Sequence, residues 1–313
     1  MALERWRVEQ LKQNNTVGAD IAQTLLKHYG DVSLLKIPEE EPPFLKVKEL
    51  FVNRVGVEQN AWKNVLGVDV EVPPVPSLVT PEVNSNLKHL GFGLRYIPKL
   101  DLGTVDDLKK KDKERYLDEL QKRSPGWRRY ESLSDTERGD HLVGRNLEEW
   151  YWRQIKNGDI DHPQLPGVWV AVESMPKPSY GESYRKTPVS DKMGLSDRFN
   201  VNWNDAQAAI QKAKRGILSE AGLPSSLDVR MLETLEWNLL ANREGWGATN
   251  TYEWTNTEYR AGGESNRVIA GYSGSGGAAY VYWYHPGDSS DDLGFRLVVV
   301  LGSFGFISIT PSG

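Results

Sequence analysis

Three groups of residues in this 313-residue chain are of types that could do chemistry. Glu236-Trp237 and Glu253-Trp254 each set a carboxylate beside a tryptophan. Paired carboxylates can share general acid–base work. An acid next to an indole also suits a buried acceptor of backbone or indole hydrogen bonds, and both glutamates read that way. Asp288, Asp291 and Asp292 bring three carboxylates into one short span. Calcium wants several oxygen ligands, but the three read first as solvated loop carboxylates, and calcium binding stays an open question. His28, His89, His141, His162 and His285 are scattered without the spacing of metal ligands. Gly274-Ser-Gly-Gly277 lacks the following lysine and helix of a phosphate-binding turn. No P-loop, no Gly-x-Gly-x-x-Gly, no His-Glu-x-x-His and no Gly-x-Ser-x-Gly occurs. The chain has no cysteine, which removes disulfides, thiolate metal sites and a cysteine nucleophile together. The expectation is a protein without catalytic residues, metal or cofactor.

What remains is recognition chemistry. From Gly271 to Asp292 the chain is almost all Gly, Ser, Tyr and Asp. Tyr supplies rigid, half-polar contact area and Ser and Gly supply adaptable hydrogen bonding, the composition of a paratope. Tyr272, Tyr280, Tyr282, Tyr284 and His285 are the leading contact candidates, with Ser273, Ser275, Asp288, Ser289 and Ser290 as polar partners. Tyr280, Tyr282 and Tyr284 alternate, so a strand would set them on one face and Val281 and Trp283 on the other. An exposed aromatic face of that kind marks an interaction site.

The elements that must position this stretch follow from hydrophobic period and punctuation. Immediately after it, Leu293-Gly-Phe-Arg-Leu-Val-Val-Val-Leu301 reads as a buried strand. Leu165 to Glu173 reads as a strand started by Pro-Gly, and Leu90 to Pro98 as another short strand. Asn202 to Lys214 reads as a helix capped by Asn202 or Asn204, with Ala206, Ala209, Ile210 and Ala213 inward. Leu227 to Asn242 reads as a second helix, capped by Ser225 or Ser226 and ended by Gly245. Leu147 to Ile155 suggests a short helix and Met175 to Ser196 a long ordered loop. Upstream, helical spacing is expected over Leu3–Tyr29, over Phe44–Leu66 and over the charged stretch Val105–Arg123. The Pro- and Glu-rich run from Pro38 to Pro43 reads as a linker, and Val68 to Pro76 as an edge strand or extended connector.

Composition narrows the partners. A formal net charge of −5 argues against binding driven by nucleic-acid phosphates, and the interleaved acids make Lys109–Lys113 a solvated face. No run of about 18 apolar residues exists to span a membrane, and the N-terminus has no apolar core of a secretory signal. A cytoplasmic, virion-associated or non-classically exported protein would fit. Eleven tryptophans and thirteen tyrosines suggest an aromatic-rich, loop-heavy α+β domain.

Several segments resemble, in order, the formylglycine-generating-enzyme subgroup of the C-type lectin fold. Ile97-Pro98 with Gly103 resembles the family's opening strand. Phe199-Asn-Val-Asn-Trp-Asn-Asp-Ala resembles "Val-Ser-Trp-x-Asp-Ala" at the start of a helix. Leu223-Pro-Ser-Ser, followed by Arg230-Met-Leu-Glu-Thr-Leu-Glu-Trp237, is similar to "Arg-Leu-Pro-Thr-Glu-Ala-Glu-Trp-Glu", rearranged. Glu253-Trp-Thr, Arg267-Val-Ile-Ala-Gly271 and Gly294-Phe-Arg resemble the family's ending. The enzymes of that family oxidise a substrate cysteine with a copper-binding cysteine pair, which this chain lacks. Where the family has Gly-Gly-Ser-Trp, Gly271 is followed by the tyrosine-rich stretch. That pattern looks like the variable proteins of diversity-generating retroelements. In these, adenine-directed mutagenesis diversifies a C-terminal region with mostly Tyr, Ser, Gly, Asp, His, Asn and Ala.

The resemblance implies a small mainly helical module over residues 1–83 and a C-type lectin domain over 84–313, with a variable region at 272–292. It implies non-enzymatic binding of an unidentified protein or cell-surface ligand, with Trp283 as scaffold because an Asn codon does not reach Trp by adenine changes alone. Residues before Asn84 lie outside the resemblance; their helices are candidates for oligomerisation. The competing readings are a cysteine-free oxidase of the same fold and a structural or virion-assembly protein.

Overall fold

A computed structural model of the chain describes residues 43–66, 69–100, 147, 149–161, 163, 165–275 and 277–302. The chain divides into two compact units, 1–49 and 50–313, and the second holds both sheets of the fold. The helices expected over Leu3–Tyr29 and Val105–Arg123, most of the Pro38–Pro43 linker and the Lys109–Lys113 run lie outside the described residues.

Six helices and eight strands are described: α1 (Pro43–Leu66), α2 (Pro81–His89), β1 (Phe92–Leu100), α3 (Glu149–Asn157), β2 (Leu165–Glu173), α4 (Pro188–Met193), α5 (Trp203–Ala221), β3 (Asp228–Met231), α6 (Thr234–Glu244), β4 (Tyr252–Ala261), β5 (Glu264–Ala270), β6 (Val281–Tyr284), β7 (Leu293–Phe295) and β8 (Leu297–Val300). They form an α+β architecture with two four-stranded sheets, ordered β1-β2-β8-β3 and β6-β5-β4-β7. The first sheet is antiparallel throughout. In the second, β4 and β7 run parallel and the other pairs antiparallel.

The two sheets share one turn of chain. β7 pairs with β4 and β8 pairs with β2 and β3, and only Arg296 separates β7 from β8. The expected Leu293–Leu301 strand is therefore two strands in two sheets. β2 is buried from Gly167 to Glu173, as a run of Val, Trp and Ala covered on both faces should be.

Helix starts and stops follow local chemistry. The Asn202 side chain accepts from Asp205 N at the start of α5, and Gly222 ends the helix in the left-handed conformation. Its inner stripe is Ala206, Ile210, Ala213 and Ile217. α4 begins at a Thr187 cap inside the loop expected over Met175–Ser196.

The helix expected over Leu227–Asn242 is a correction. Asp228–Met231 forms β3, and the helix begins only at Thr234 with Glu233 at its cap position. Val229 and Met231 are buried where β3 pairs with Val299 and Leu297. Their apolar spacing fits either structure, and sheet pairing selects the strand. Ser225 and Ser226 consequently cap no helix.

The compact unit also begins at Leu50, upstream of the expected 83/84 boundary. β1 is an edge strand, and α1 covers its open side. Tyr96 N donates to Glu58 Oε2 (3.0 Å), Trp62 Nε1 donates to Tyr96 O (2.7 Å), and Arg54 donates to Leu94 O. Trp62 and Leu66 are fully buried in the same core as β1 and β2. Exposed strand edges template unwanted pairing, so this helix belongs structurally with the sheet. Residues 69–76 are an extended connector, not a strand, and Pro73 O accepts from Trp169 Nε1.

Candidate recognition surface

The stretch from Gly271 to Asp292 rests on a buried ionic network. Arg296, 1% exposed, donates to Glu253 Oε1 (2.9 Å) and to the carbonyls of Glu173 (2.7 Å) and Met175 (2.6 Å). Its guanidinium lies 3.9 Å from the centroid of the Trp246 ring. Glu253 also accepts from Trp237 Nε1 and Tyr184 Oη, each at 2.7 Å. Burial alone would raise the Glu253 carboxyl. Arg296, Lys177 and these two hydrogen bonds outweigh it and hold the group below the usual carboxylate range. A second buried pair lies alongside: Glu173 meets Arg198 and accepts Leu297 N at 2.9 Å. Glu253 is the indole acceptor that its sequence context suggested; Glu236 instead takes both Arg230 Nη atoms (2.7 and 2.8 Å) and Glu233 N.

Gly294 is required by close approach. A Cβ there would lie 2.3 Å from the Tyr184 ring, and that ring is fixed by its bond to Glu253. The Gly-Phe-Arg triplet thus supplies three separate things: room for Tyr184, the buried Phe295, and the cation between the sheets.

Above this network the main chain of 271–292 is held by backbone hydrogen bonds. Gly271 N donates to Tyr280 O (3.0 Å), and Ser273 N to Thr249 O (2.9 Å). Ser275 N and Gly277 N both donate to Tyr272 O (3.1 Å). Asn200 N donates to Ser290 O (2.9 Å), Asn204 N to Pro286 O (3.2 Å) and Tyr252 N to Asp292 O (2.8 Å). The segment forms two 3₁₀ turns, Ser273–Ser275 and Gly277–Ala279, then β6 on the edge of the second sheet. Tyr272 has φ 104°, rare for a bulky residue. The buried Asn238 side chain holds the second turn by donating to Ala278 O (2.6 Å).

The structure places the ten candidate residues unequally. Tyr282 is 47% exposed and stacks on Trp283. Tyr284 is half-buried, edge-on to Trp254. Tyr272 and Tyr280 are half-buried around Tyr252, with ring centroids 5.0 and 6.0 Å from it. Burial, then Tyr280, pushes the Tyr252 hydroxyl above its ordinary value. The expected single face of Tyr280, Tyr282 and Tyr284 is thereby corrected: β6 starts only at Val281, and the three rings meet different neighbours. Val281 is buried, and Trp283 and Tyr284 both pack against the core, so the expected division into a tyrosine face and a Val281–Trp283 face is not kept. Ser275, His285, Asp288 and Ser289 are exposed, and Ser273 and Ser290 half-buried. Ser289 Oγ donates to Asn200 Oδ1 (2.9 Å). Asp291 accepts from Tyr180 Oη (2.9 Å) and Asp292 from Ser290 Oγ. Among the described residues no group of three or more His, Cys, Asp or Glu is placed to hold a metal ion.

Sequence reasoning missed Lys177, Tyr180, Tyr184 and Tyr252. Tyr252 directly precedes Glu253-Trp254 and was legible as part of that motif. The other three sit in a Pro- and Ser-rich loop without period, so nothing local distinguished them. Lys177 is 4% exposed and donates to the carbonyl and to Oγ1 of Thr251. Burial lowers its ammonium to about 7, against the partial support of Glu253.

No family model matches the chain, and the curated proteins contain no match. One solved structure, titled "Crystal Structure of CarF", matches 45% of this chain and 89% of that one, at 14% identity and a TM-score of 0.31. A likeness of that size bears on neither fold nor function. Among the described residues no helix is long and apolar enough to cross a membrane.

Proposed function

We propose that this is a non-enzymatic ligand-binding protein with a C-type lectin fold of the formylglycine-generating-enzyme type. Its segment 272–292 is a retroelement-diversified surface that meets a protein or cell-surface ligand. The observation that carries the reading is how that segment is held. Its backbone is fixed by main-chain hydrogen bonds to Thr249, Asn200, Asn204 and Tyr252, none of which depends on the identity of a side chain in the segment. Side chains can then change while the path of the chain persists. The Tyr, Ser and Asp side chains it carries supply aromatic burial and hydrogen bonds without catalysis.

Sequencing this locus in closely related isolates tests the reading. The expected result is codon changes concentrated at adenines within 272–292, with Trp283 and Gly294-Phe295-Arg296 constant. Changes spread evenly along the gene would overturn it, as would a neighbourhood without a near-copy of the segment and a reverse-transcriptase gene.

A further inference from the structure

The tyrosine cluster at the start of the segment and the aspartates at its end form one patch, and residues outside the segment complete it. Tyr252 carries Tyr272 and Tyr280 against its ring, and its backbone N–H is bonded to the carbonyl of Asp292. Asp291, next in the chain, accepts the hydroxyl of Tyr180 at 2.9 Å. Tyr180 is 55% exposed, an unusual exposure for so large a side chain, and its backbone N–H is pinned by Asn250 Oδ1 (2.8 Å). Between Tyr272 and Asp292 the chain has three aspartates and no Lys, Arg or Glu. Lys177 lies beneath the patch, but it is buried and bonded to Thr251. The side chains that the segment, Tyr180 and Tyr252 bring to the patch are thus aromatic and anionic.

We infer that this patch, with Tyr180 and Tyr252 from the scaffold beside Asp291 and Asp292, binds a Lys- and Arg-bearing segment of a partner protein. The inference rests on the proposed recognition function and names the partner's chemistry. Ammonium and guanidinium groups gain from both features at once. The negative face of a tyrosine ring attracts a cation, and the neighbouring carboxylate forms a charge-assisted hydrogen bond with it. Tyr180 is set for this because its own hydroxyl anchors it to Asp291. The rings and carboxylates run over several residues of surface, so they match an extended segment with more than one basic side chain. An acidic partner would face like charges, which disfavours it.

The test uses the full chain on three immobilised random-peptide pools, one rich in Lys and Arg, one uncharged and one rich in Asp and Glu. The expected result is retention on the basic pool that falls with rising salt. Asp291→Asn and Tyr180→Ala should each weaken it about five- to tenfold. Glu264→Gln, a change to an exposed acid on the remote β4–β5 hairpin, should leave it unchanged. Circular dichroism verifies that each variant is folded, and Tyr180→Phe, which keeps the ring and loses the anchor to Asp291, should weaken binding less than Tyr180→Ala. Retention that ignores Asp291 and Tyr180, or that Glu264→Gln weakens equally, makes the binding diffuse and overturns the inference. Retention confined to the uncharged or acidic pool, and lost in Tyr180→Ala, overturns the cationic partner while leaving a recognition surface standing. Retention on no pool overturns the basic-segment partner, while the recognition function stands or falls by the sequencing of related isolates.

Discussion

At the scale of single residues, the least expected group is Lys177. A lysine with 4% exposure beneath a surface loop joins its own segment to Thr251 and lies against Gly271, where an added Cβ would meet Nζ at 3.1 Å. Its ammonium titrates near 7 in the folded chain because burial disfavours charge, against an ordinary value of 10.5. Below about pH 7 both folded and unfolded chains carry the proton, and this group adds no slope to stability. Between there and about pH 10 the unfolded chain binds the extra proton, so the folded state gains about 1.4 kcal/mol per pH unit from this residue. Melting temperatures of the wild type and Lys177→Met, measured from pH 6 to pH 10, should therefore diverge, with the wild type gaining on the variant as pH rises. Parallel curves would show that Lys177 keeps an ordinary affinity for protons.

At the scale of elements, the decisive piece is the step from β7 to β8. Arg296 is the single residue between two sheets, and its guanidinium bonds the carbonyls of Glu173 and Met175 at the end of β2 and the carboxylate on β4. Removing one member of a buried pair leaves an uncompensated charge, which costs about 3–5 kcal/mol. Arg296→Met and Glu253→Gln should each lower stability by that order in urea unfolding. The double variant should be less destabilised than the sum of the two, since neither Arg296 nor Glu253 is left without the other. Strict additivity would mean that the two side chains act independently. The same element scale explains the displaced helix. Leu227 to Asn242 has helical apolar spacing, but Val229 and Met231 find partners on β8 that only an extended backbone can reach. Propensity is a weak prior against a completed sheet.

At the scale of the whole molecule, α1 closes the open edge of the first sheet. Glu58 satisfies Tyr96 N and also receives the guanidinium of Arg243 from α6, so it ties α1, β1 and α6 together. A chain shortened to begin at Asn84, the boundary that the resemblance implies, should melt at least about 10 °C below one that begins at Pro43, because it exposes the β1 edge and removes the Glu58 carboxylate from Arg243. Equal melting temperatures would restore the later boundary. The α+β class and most element positions are legible in the sequence. β2 has the bounds expected of it and Asn202 caps α5 as expected, since hydrophobic period and caps are local signals. The candidate surface is legible as a composition, Tyr, Ser, Gly and Asp between Gly271 and Asp292, but not as a geometry.

The sequence by itself determined the absence of cysteine chemistry, the α+β pattern, the strand at Leu165–Glu173 and the concentration of tyrosine after Gly271. Each depends only on residue type and spacing along the chain. The tertiary structure alone decided that Arg296 stands between two sheets, that Asp228–Met231 is a strand, that α1 covers β1, that Tyr180 reaches Asp291, 111 residues downstream, and that Lys177 is buried against Thr251, 74 residues downstream. Those are contacts between segments far apart in sequence. Burial and pairing at such distances are set by which edges and charges remain to be satisfied once the sheets have formed, and no local pattern carries that information.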